Sequence, residues 1–259
     1  MKKFISLALV VVLALTMSIA FTGCGKDEDK LVEEPDALVV GITVYEPMNY
    51  QAKDGSWTGF DTEFAQAVCE KLGYEPEFVE IDWDNKFLEL DSESIDCIWN
   101  GMTITDEVKK NADVSKAYVK NAQVVVMTAD KADSIKSVED LKGLKFAAEA
   151  GSAGETAIKD NKLDADYAAC ATQTDALLEV KSGSVDACVI DITMANAMTG
   201  KGTSYSSLAP AFELTTEEYG IAFRKGSDLT EKVNKVMDEL KADGTLDKLA
   251  KKYNLTLAF

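Results

Sequence analysis

The sequence predicts an α/β fold in which two α/β lobes face each other across a central cleft. Three observations predict it. Apolar runs of strand length alternate with stretches of helical periodicity, and the alternation begins again midway, which implies parallel-type sheets with helices on both faces. An internal echo links the halves. Ser94-Ile95-Asp96-Cys97-Ile98-Trp99-Asn100 and Ser184-Val185-Asp186-Ala187-Cys188-Val189-Ile190-Asp191 each run from Ser through a branched residue and Asp into an apolar strand with a polar end. Open α/β sheets bind ligands at the carboxyl ends of their strands. Length agrees: of 259 residues, 23 read as a leader, and the remaining 236 fit two lobes of about 100 residues each.

The leader comes first. Met1-Lys2-Lys3 is basic, Phe4 to Phe21 is uncharged and mostly apolar, and Thr22-Gly23-Cys24 sets small residues before a cysteine. This is the form of a secretory signal, and it resembles a bacterial lipoprotein signal covering residues 1–23, with lipid on the Cys24 sulfur. A single membrane anchor is the competing reading, since the run is about long enough to span. Phe21 stands where Leu is commoner in such signals. Residues 24–37 follow as a lipidated, flexible tether, charged, aperiodic and broken by Pro35.

The body then alternates. LVVGITV (38–44) reads as a strand. FDTEFAQAVCEKLG (60–73) spaces Phe60, Phe64, Ala67, Val68 and Leu72 as a helix that Gly73 stops. EFVEI (77–81), SIDCIW (94–99) and AQVVVMT (122–128) read as strands. SVED (137–140) has capping-box spacing. LKFAAEA (144–150) is a strand; TDALLEVKSG (174–183) is a helix with Thr174 as cap and Gly183 as stop; VDACVID (185–191) is a strand. In DLTEKVNKVMDELKADG (228–244), Leu229, Val233, Val236, Met237 and Leu240 share one helical face.

Composition removes several functions. The formal charge of −18 becomes −20 once Lys2 and Lys3 leave with the signal. That excludes a nucleic-acid partner, whose phosphates require a basic face. The plainest reading of the acidity is solubility. The chain has no histidine, which removes Ser-His-Asp and Cys-His catalysis and the commonest zinc ligand. No pattern points to a metal or cofactor. Arg224 is the single arginine. Cys69, Cys97, Cys170 and Cys188 lack any CxxC spacing and sit mostly in apolar patterns, which favours buried free thiols, with disulfides as the alternative.

GSWTGFDTEFAQAVCEKLG, IDWDNKF, SIDCIWNGMTITDEVKK, SVEDLKGLKFAAEAGSAG, SGSVDACVIDITMA and EEYGIAFRKGSDLTEKVNKVMDELKADGTLDKLAKKY occur in that order. Over about residues 38–255 the chain resembles the bacterial extracellular solute-binding proteins of family 3, the amino-acid receptors of ABC importers. The resemblance implies a type II periplasmic-binding-protein-like fold. Lobe one would be 38–126 plus 222–259 and lobe two 127–221, with crossing strands near 125–127 and 221–223. It implies a lipid-anchored monomer outside the cytoplasmic membrane, tethered through Cys24, that passes a small polar amino acid or amine to a permease and its ATPase. It is not expected to be an enzyme.

The resemblance also implies the site. Tyr45 and Trp83 match aromatics that sandwich the ligand side chain. Asn100, Gly101 and Thr103 match the polar group after the lobe-one strand. Gly151, Ser152, Ala153 and Gly154 match an anion nest, and Asp191 matches the acceptor of the ligand ammonium. Physical chemistry supports these roles independently. A glycine-rich strand-to-helix turn offers free N–H groups to an anion, and aromatic faces hold an aliphatic or cationic group. Tyr45 and Trp83 also read as packing residues, and Asp191 as a cap for the helix that follows.

One position departs from the family. Three residues after Thr105 the family carries an arginine that grips the ligand α-carboxylate; here Val108 stands there. Three outcomes remain open: an amino acid held by Ser152, Asn100 and Thr103; an amine with little carboxylate, facing Asp191, Glu46 and Glu149; or exclusion of anions. An acidic ligand fits least. A dehydratase on the same scaffold and a sensor domain for a separate kinase are the readings from other classes.

Overall fold

The computed structural model describes residues 36–259. The signal, Cys24 and the tether up to Pro35 lie outside the described residues.

The first stretch of chain builds most of one lobe. β1 (Ala37–Ile42) leads through a small hairpin of β2 (Tyr50–Gln51) and β3 (Trp57–Thr58) into α1 (Phe60–Leu72). The expected helical stripe holds: Phe60, Phe64 and Val68 are fully buried, and Gly73 ends the helix in the left-handed region at φ 77°. β4 (Glu75–Glu80), a single 3₁₀ turn (Trp83–Asn85), α2 (Lys86–Asp91) and β5 (Cys97–Thr103) follow. α3 (Asp106–Asn111), β6 (Asp113–Val114) and β7 (Val119–Asn121) complete this stretch. β1 runs parallel to both β4 and β5, so it is covered on both edges and reads as a continuous apolar run.

The chain crosses at Ala122 into the second sheet. β8 (Gln123–Thr128), α4 (Ala129–Ala132), β9 (Phe146–Glu149), α5 (Ala153–Asp160) and β10 (Tyr167–Cys170) come first. Then come α6 (Gln173–Ser182), β11 (Ala187–Asp191), α7 (Ile192–Met198) and β12 (Leu208–Glu213). The strand order is β10-β9-β11-β8-β12, parallel across the first three and antiparallel at β8. The chain returns over 214–216 to β13 (Glu217–Phe223), which lies antiparallel to β5, β6 and β7. α8 (Leu229–Ala242) and α9 (Thr245–Tyr253) then pack on the first lobe, with α8 burying Val233, Val236, Met237 and Leu240.

The passages between sheets fall at Ala122 and 214–216, a few residues before the expected positions. Residues 125–127 lie inside β8 and are paired in the second sheet; 221–223 lie inside β13 and are paired in the first. An apolar run shows that a strand exists, not which sheet accepts it. A second adjustment concerns α6. Its cap is Thr172, whose hydroxyl accepts the Asp175 N–H, and not Thr174, which lies inside the helix.

The internal echo is architectural. β5 and β11 occupy equivalent places, each with a parallel neighbour on one side and an antiparallel strand on the other. The repeated aspartate does the same work twice. The Asp96 carboxylate accepts the Val39 N–H at 2.9 Å, and Asp186 accepts the Lys145 N–H at 3.0 Å, each clamping the start of the neighbouring parallel strand. Arg224 belongs to the first clamp: it pairs with Asp96 at 2.8 Å and donates to the Ile95 carbonyl. The chain's single arginine is therefore structural. Cys69, Cys97, Cys170 and Cys188 are all free thiols, and Cys170 alone is less than fully buried. Among the described residues, no helix is long and apolar enough to cross a membrane.

Candidate functional site

A cavity of about 530 Å³, counting the part open to solvent, is bounded by the carboxyl end of β5, the 3₁₀ turn and start of α2, the β9–α5 turn, and the last residue of β11. Both echo strands thus deliver their polar ends to one cleft.

Asp191 ends β11 and is 6 % exposed. It occupies the N-cap position of α7, yet its carboxylate makes no capping bond. Instead Oδ1 accepts from Asn121 Nδ2, from Gln123 Nε2 at 2.8 Å and from the Tyr219 hydroxyl at 2.8 Å. Among the described residues, Oδ2 accepts only from Gln173 Nε2, at 2.5 Å. Gln173 also accepts the Asp191 N–H, so both ends of its amide fix the residue. A carboxylate oxygen accepts more than one bond, so Oδ2 keeps capacity. Burial, then the nearby Glu217 carboxylate, raises the Asp191 pKa.

The β9–α5 turn supplies the opposite charge preference. Ser152 caps α5, its hydroxyl accepting the Glu155 N–H at 3.1 Å, which leaves the hydroxyl proton free to donate. Glu155 folds back to accept the Gly151 N–H at 2.9 Å. The Ala153 and Gly154 N–H groups belong to the first turn and have no partner within the helix. Gly154 lies behind the cavity wall rather than on it. A Cβ there would sit 2.7 Å from the Val189 carbonyl oxygen and 3.0 Å from Gln123 Oε1, so glycine lets α5 approach β11.

Across the cleft, Trp83 and Phe87 form an apolar wall, with Val108 beside them. Lys86 is 7 % exposed; Nζ donates to the Trp83 carbonyl at 3.1 Å and to the Gly151 carbonyl at 2.8 Å, joining the two lobes. Burial lowers its pKa, against the pull of Glu107 and Glu149. Among the described residues, Lys86 is the one cationic side chain on the cavity wall; Glu107, Glu149 and Asp191 are its carboxylates.

Of the residues singled out in the sequence, the cavity wall brings together Trp83, Asn100, Gly101, Thr103, Val108, Glu149, Gly151, Ser152, Ala153 and Asp191. Tyr45 is not among them. It is 2 % exposed, and its hydroxyl bonds Tyr219 and Thr193 at 2.5 Å each. A Cβ on Gly101 would meet Tyr45 Cε1 at 2.7 Å, which places the ring under the cavity floor. The Asn100 side chain turns away too: its amide donates to Thr43 Oγ1 at 2.6 Å and accepts from Asn49 at 2.8 Å and from the Thr43 N–H. The Thr103 hydroxyl donates to Glu217 at 2.6 Å. Asp61, wholly buried, accepts the Gly101 N–H at 2.6 Å and the Tyr118 hydroxyl at 2.9 Å, fixing the floor from below.

Lys86 and Gln173 went unnoticed in the sequence. Lys86 had a signal: it lies three residues after Trp83, on the same side of a helical turn. Gln173, next to a helix cap, had none.

The model of the bacterial extracellular solute-binding proteins, family 3, matches residues 38–256. The arginine-binding extracellular protein ArtP of Bacillus subtilis is 32% identical over 259 residues, 98% of each chain. Among solved structures, an ancestral arginine-binding protein bound to arginine superposes with a TM-score of 0.79 at 38% identity, covering 85% of this chain and 99% of that one. An ancestral amino-acid-binding protein, described as a precursor of cyclohexadienyl dehydratase, does so with a TM-score of 0.77 at 36% identity, covering 84% and 95%.

Proposed function

The chain belongs to the bacterial extracellular solute-binding proteins, family 3, and from that premise we propose that it is the solute receptor of an ABC importer, binding an amino acid or related amine. One observation carries the reading. A buried carboxylate with a free lone pair, Asp191, and a helix N-terminus with free N–H groups line the same cleft as an aromatic wall. Those are the complements of an ammonium, a carboxylate and a side chain.

In this reading Asp191 takes the ammonium. The Ser152 hydroxyl and the Ala153 N–H take a carboxylate in place of the arginine absent at Val108, while the Thr103 hydroxyl is committed to Glu217. Trp83 covers the side chain, while Tyr45 supports the floor beneath Gly101. Lobe closure follows from the ligand's greater affinity for the form in which both walls reach it. The lobes already touch through Lys86 to Gly151 and Tyr45 to Thr193, contacts that a closed form needs. Lipid on Cys24 would hold a monomeric receptor at the outer face of the membrane, beside the permease and ATPase that take the solute onward. The absence of histidine and of a cleft arginine argues against turnover of cyclic dicarboxylates on this scaffold.

A thermal-shift screen of residues 25–259 against the standard amino acids and small amines tests the reading. A ligand at about 100 times its dissociation constant adds about 2.7 kcal/mol, a shift of several degrees. The shift should disappear in Asp191→Ala while the unliganded melt survives. No shift with any amino acid or amine overturns the reading, and so does measurable dehydration of prephenate or arogenate.

A further inference from the structure

Among the carboxylates that face this cleft, one has been given no work. Glu149 ends β9, lies on the cavity wall and is only 4 % exposed. Asp191 and Glu217 each accept several hydrogen bonds. Glu107 is exposed to solvent. Its backbone carbonyl accepts the Ser152 N–H at 3.3 Å, but among the described residues its carboxylate accepts no hydrogen bond and forms no ion pair. Its nearest cation, Lys86, spends its donors on two carbonyls instead. The carboxyl group is therefore held on the cavity wall with no protein partner, open to whatever enters the cleft.

We propose that Glu149 recognises a cation on the ligand's side chain, so that the cleft selects basic amino acids, or diamines of similar reach, over neutral ones. The inference rests on the receptor reading above and sharpens it to a ligand class. Asp191 has room for one ammonium at Oδ2, and a second positive group is what Glu149 lacks. Trp83 on the far wall suits the same group, because a cation gains from an aromatic face. A neutral side chain in this place would leave Glu149 protonated and gain no ionic contact from it. The charged groups facing Glu149 come from several elements: Asp191 at the end of β11, Lys86 in α2, Asp175 in α6 and Asp82 before the 3₁₀ turn. Three of the four are acidic. Burial first, then Asp191, pushes Glu149 up to about 8. At neutral pH it is therefore largely protonated when the cleft is empty, and a cationic ligand must expel that proton.

The test is calorimetric titration of the mature chain with arginine and lysine against citrulline and glutamine, in two buffers of different ionisation enthalpy. Arginine or lysine should bind at least about tenfold more tightly than citrulline, with release of a proton near pH 7. Glu149→Gln should abolish the release and reduce the preference to within about threefold, with the larger loss falling on the basic ligands. A wild-type protein that prefers citrulline or glutamine overturns the proposal while the receptor reading stands. An equal loss for basic and neutral ligands in Glu149→Gln overturns it as well. No binding of any amino acid or amine overturns both. Should the variant fail to fold, the wild-type ratio of arginine to citrulline still decides.

Discussion

Replacing Gly151 by alanine should separate the stability of the lobes from their closure. Gly151 has φ 66°, a left-handed conformation that costs an L-residue about 1–2 kcal/mol. That strain is local and is present whether the cleft is open or shut, so it lowers the melting temperature and leaves affinity alone. The second effect is not local. The new Cβ would lie 2.7 Å from Asp84 Oδ1, 3.1 Å from the Asp84 Cα and 3.4 Å from Lys86 Nζ, all on the other lobe. The carboxylate oxygen can swing aside; the Cα cannot, so the seam must widen by a few tenths of an ångström. That widening strains the 2.8 Å bond from Lys86 to the Gly151 carbonyl. A bond to a charged group is worth about 1.5–3 kcal/mol. Losing about half of it, roughly 1 kcal/mol, weakens ligand binding by about five- to tenfold. Calorimetric titration gives the affinity and scanning calorimetry the melt. Lys86→Met should produce a loss that is not additive with Gly151→Ala, because both act on one seam. A variant that melts lower but binds as well as wild type would refute the reasoning: the seam would then be absent from the liganded form.

Two further outcomes are expected. Burial pushes Asp61 up to about 7. The unfolded chain ionises near 4 while the native state keeps its proton, so this group's share of stability, of the order of a few kcal/mol, is complete below about pH 4 and is lost as pH rises to about 7. Asp61→Asn should flatten the fall in melting temperature over that window, and an unaltered slope counts against the assignment. Val108→Arg should lower the melt by about 1–3 kcal/mol, since Val108 is 5 % exposed and packs in the cluster with Trp83 and Ile98. It should also raise the affinity ratio of an amino acid to its decarboxylated amine; an unchanged ratio means the carboxylate lies elsewhere.

What was legible follows the reach of local patterning. Helical stripes show wherever one face meets a core and a glycine stops the turn, as at Phe60 to Gly73 and Leu229 to Gly244. The two strand ends that form the cleft show because Asn100 and Asp191 follow apolar runs. The parts that did not show depend on contacts distant in sequence. Asp191 has the sequence position of a helix cap, but its donors are Asn121, Gln123, Gln173 and Tyr219, from four other places in the chain. Tyr45 has the position of a cleft aromatic, but the missing side chain of Gly101 leaves space for its ring below the floor. The Asp96 and Asp186 echo marks two strands whose ends reach one cavity, while the aspartates themselves serve neighbouring strands.

The absence of arginine at 108 and the presence of glutamate at 149 bear on the same quantity. The cavity wall carries Glu107, Glu149 and Asp191 against Lys86 alone. A wall with that balance disfavours any ligand of net negative charge and offers the carboxylate of a zwitterion only neutral donors. An arginine at 108 would shift the balance by one charge toward neutral and return the carboxylate its partner. Without it, the carboxylate depends on single bonds from Ser152 and Ala153 and lacks the bidentate, oppositely charged fork that an arginine offers. Affinity lost there has to be recovered elsewhere in the cleft, and the unpartnered Glu149 is the place with most to gain. A ligand with a second cation recovers it by ionising Glu149 and pairing with the carboxylate that results. Val108 and Glu149 are on this argument two parts of one preference, so Val108→Arg should narrow the discrimination between arginine and citrulline even as it tightens the hold on both carboxylates.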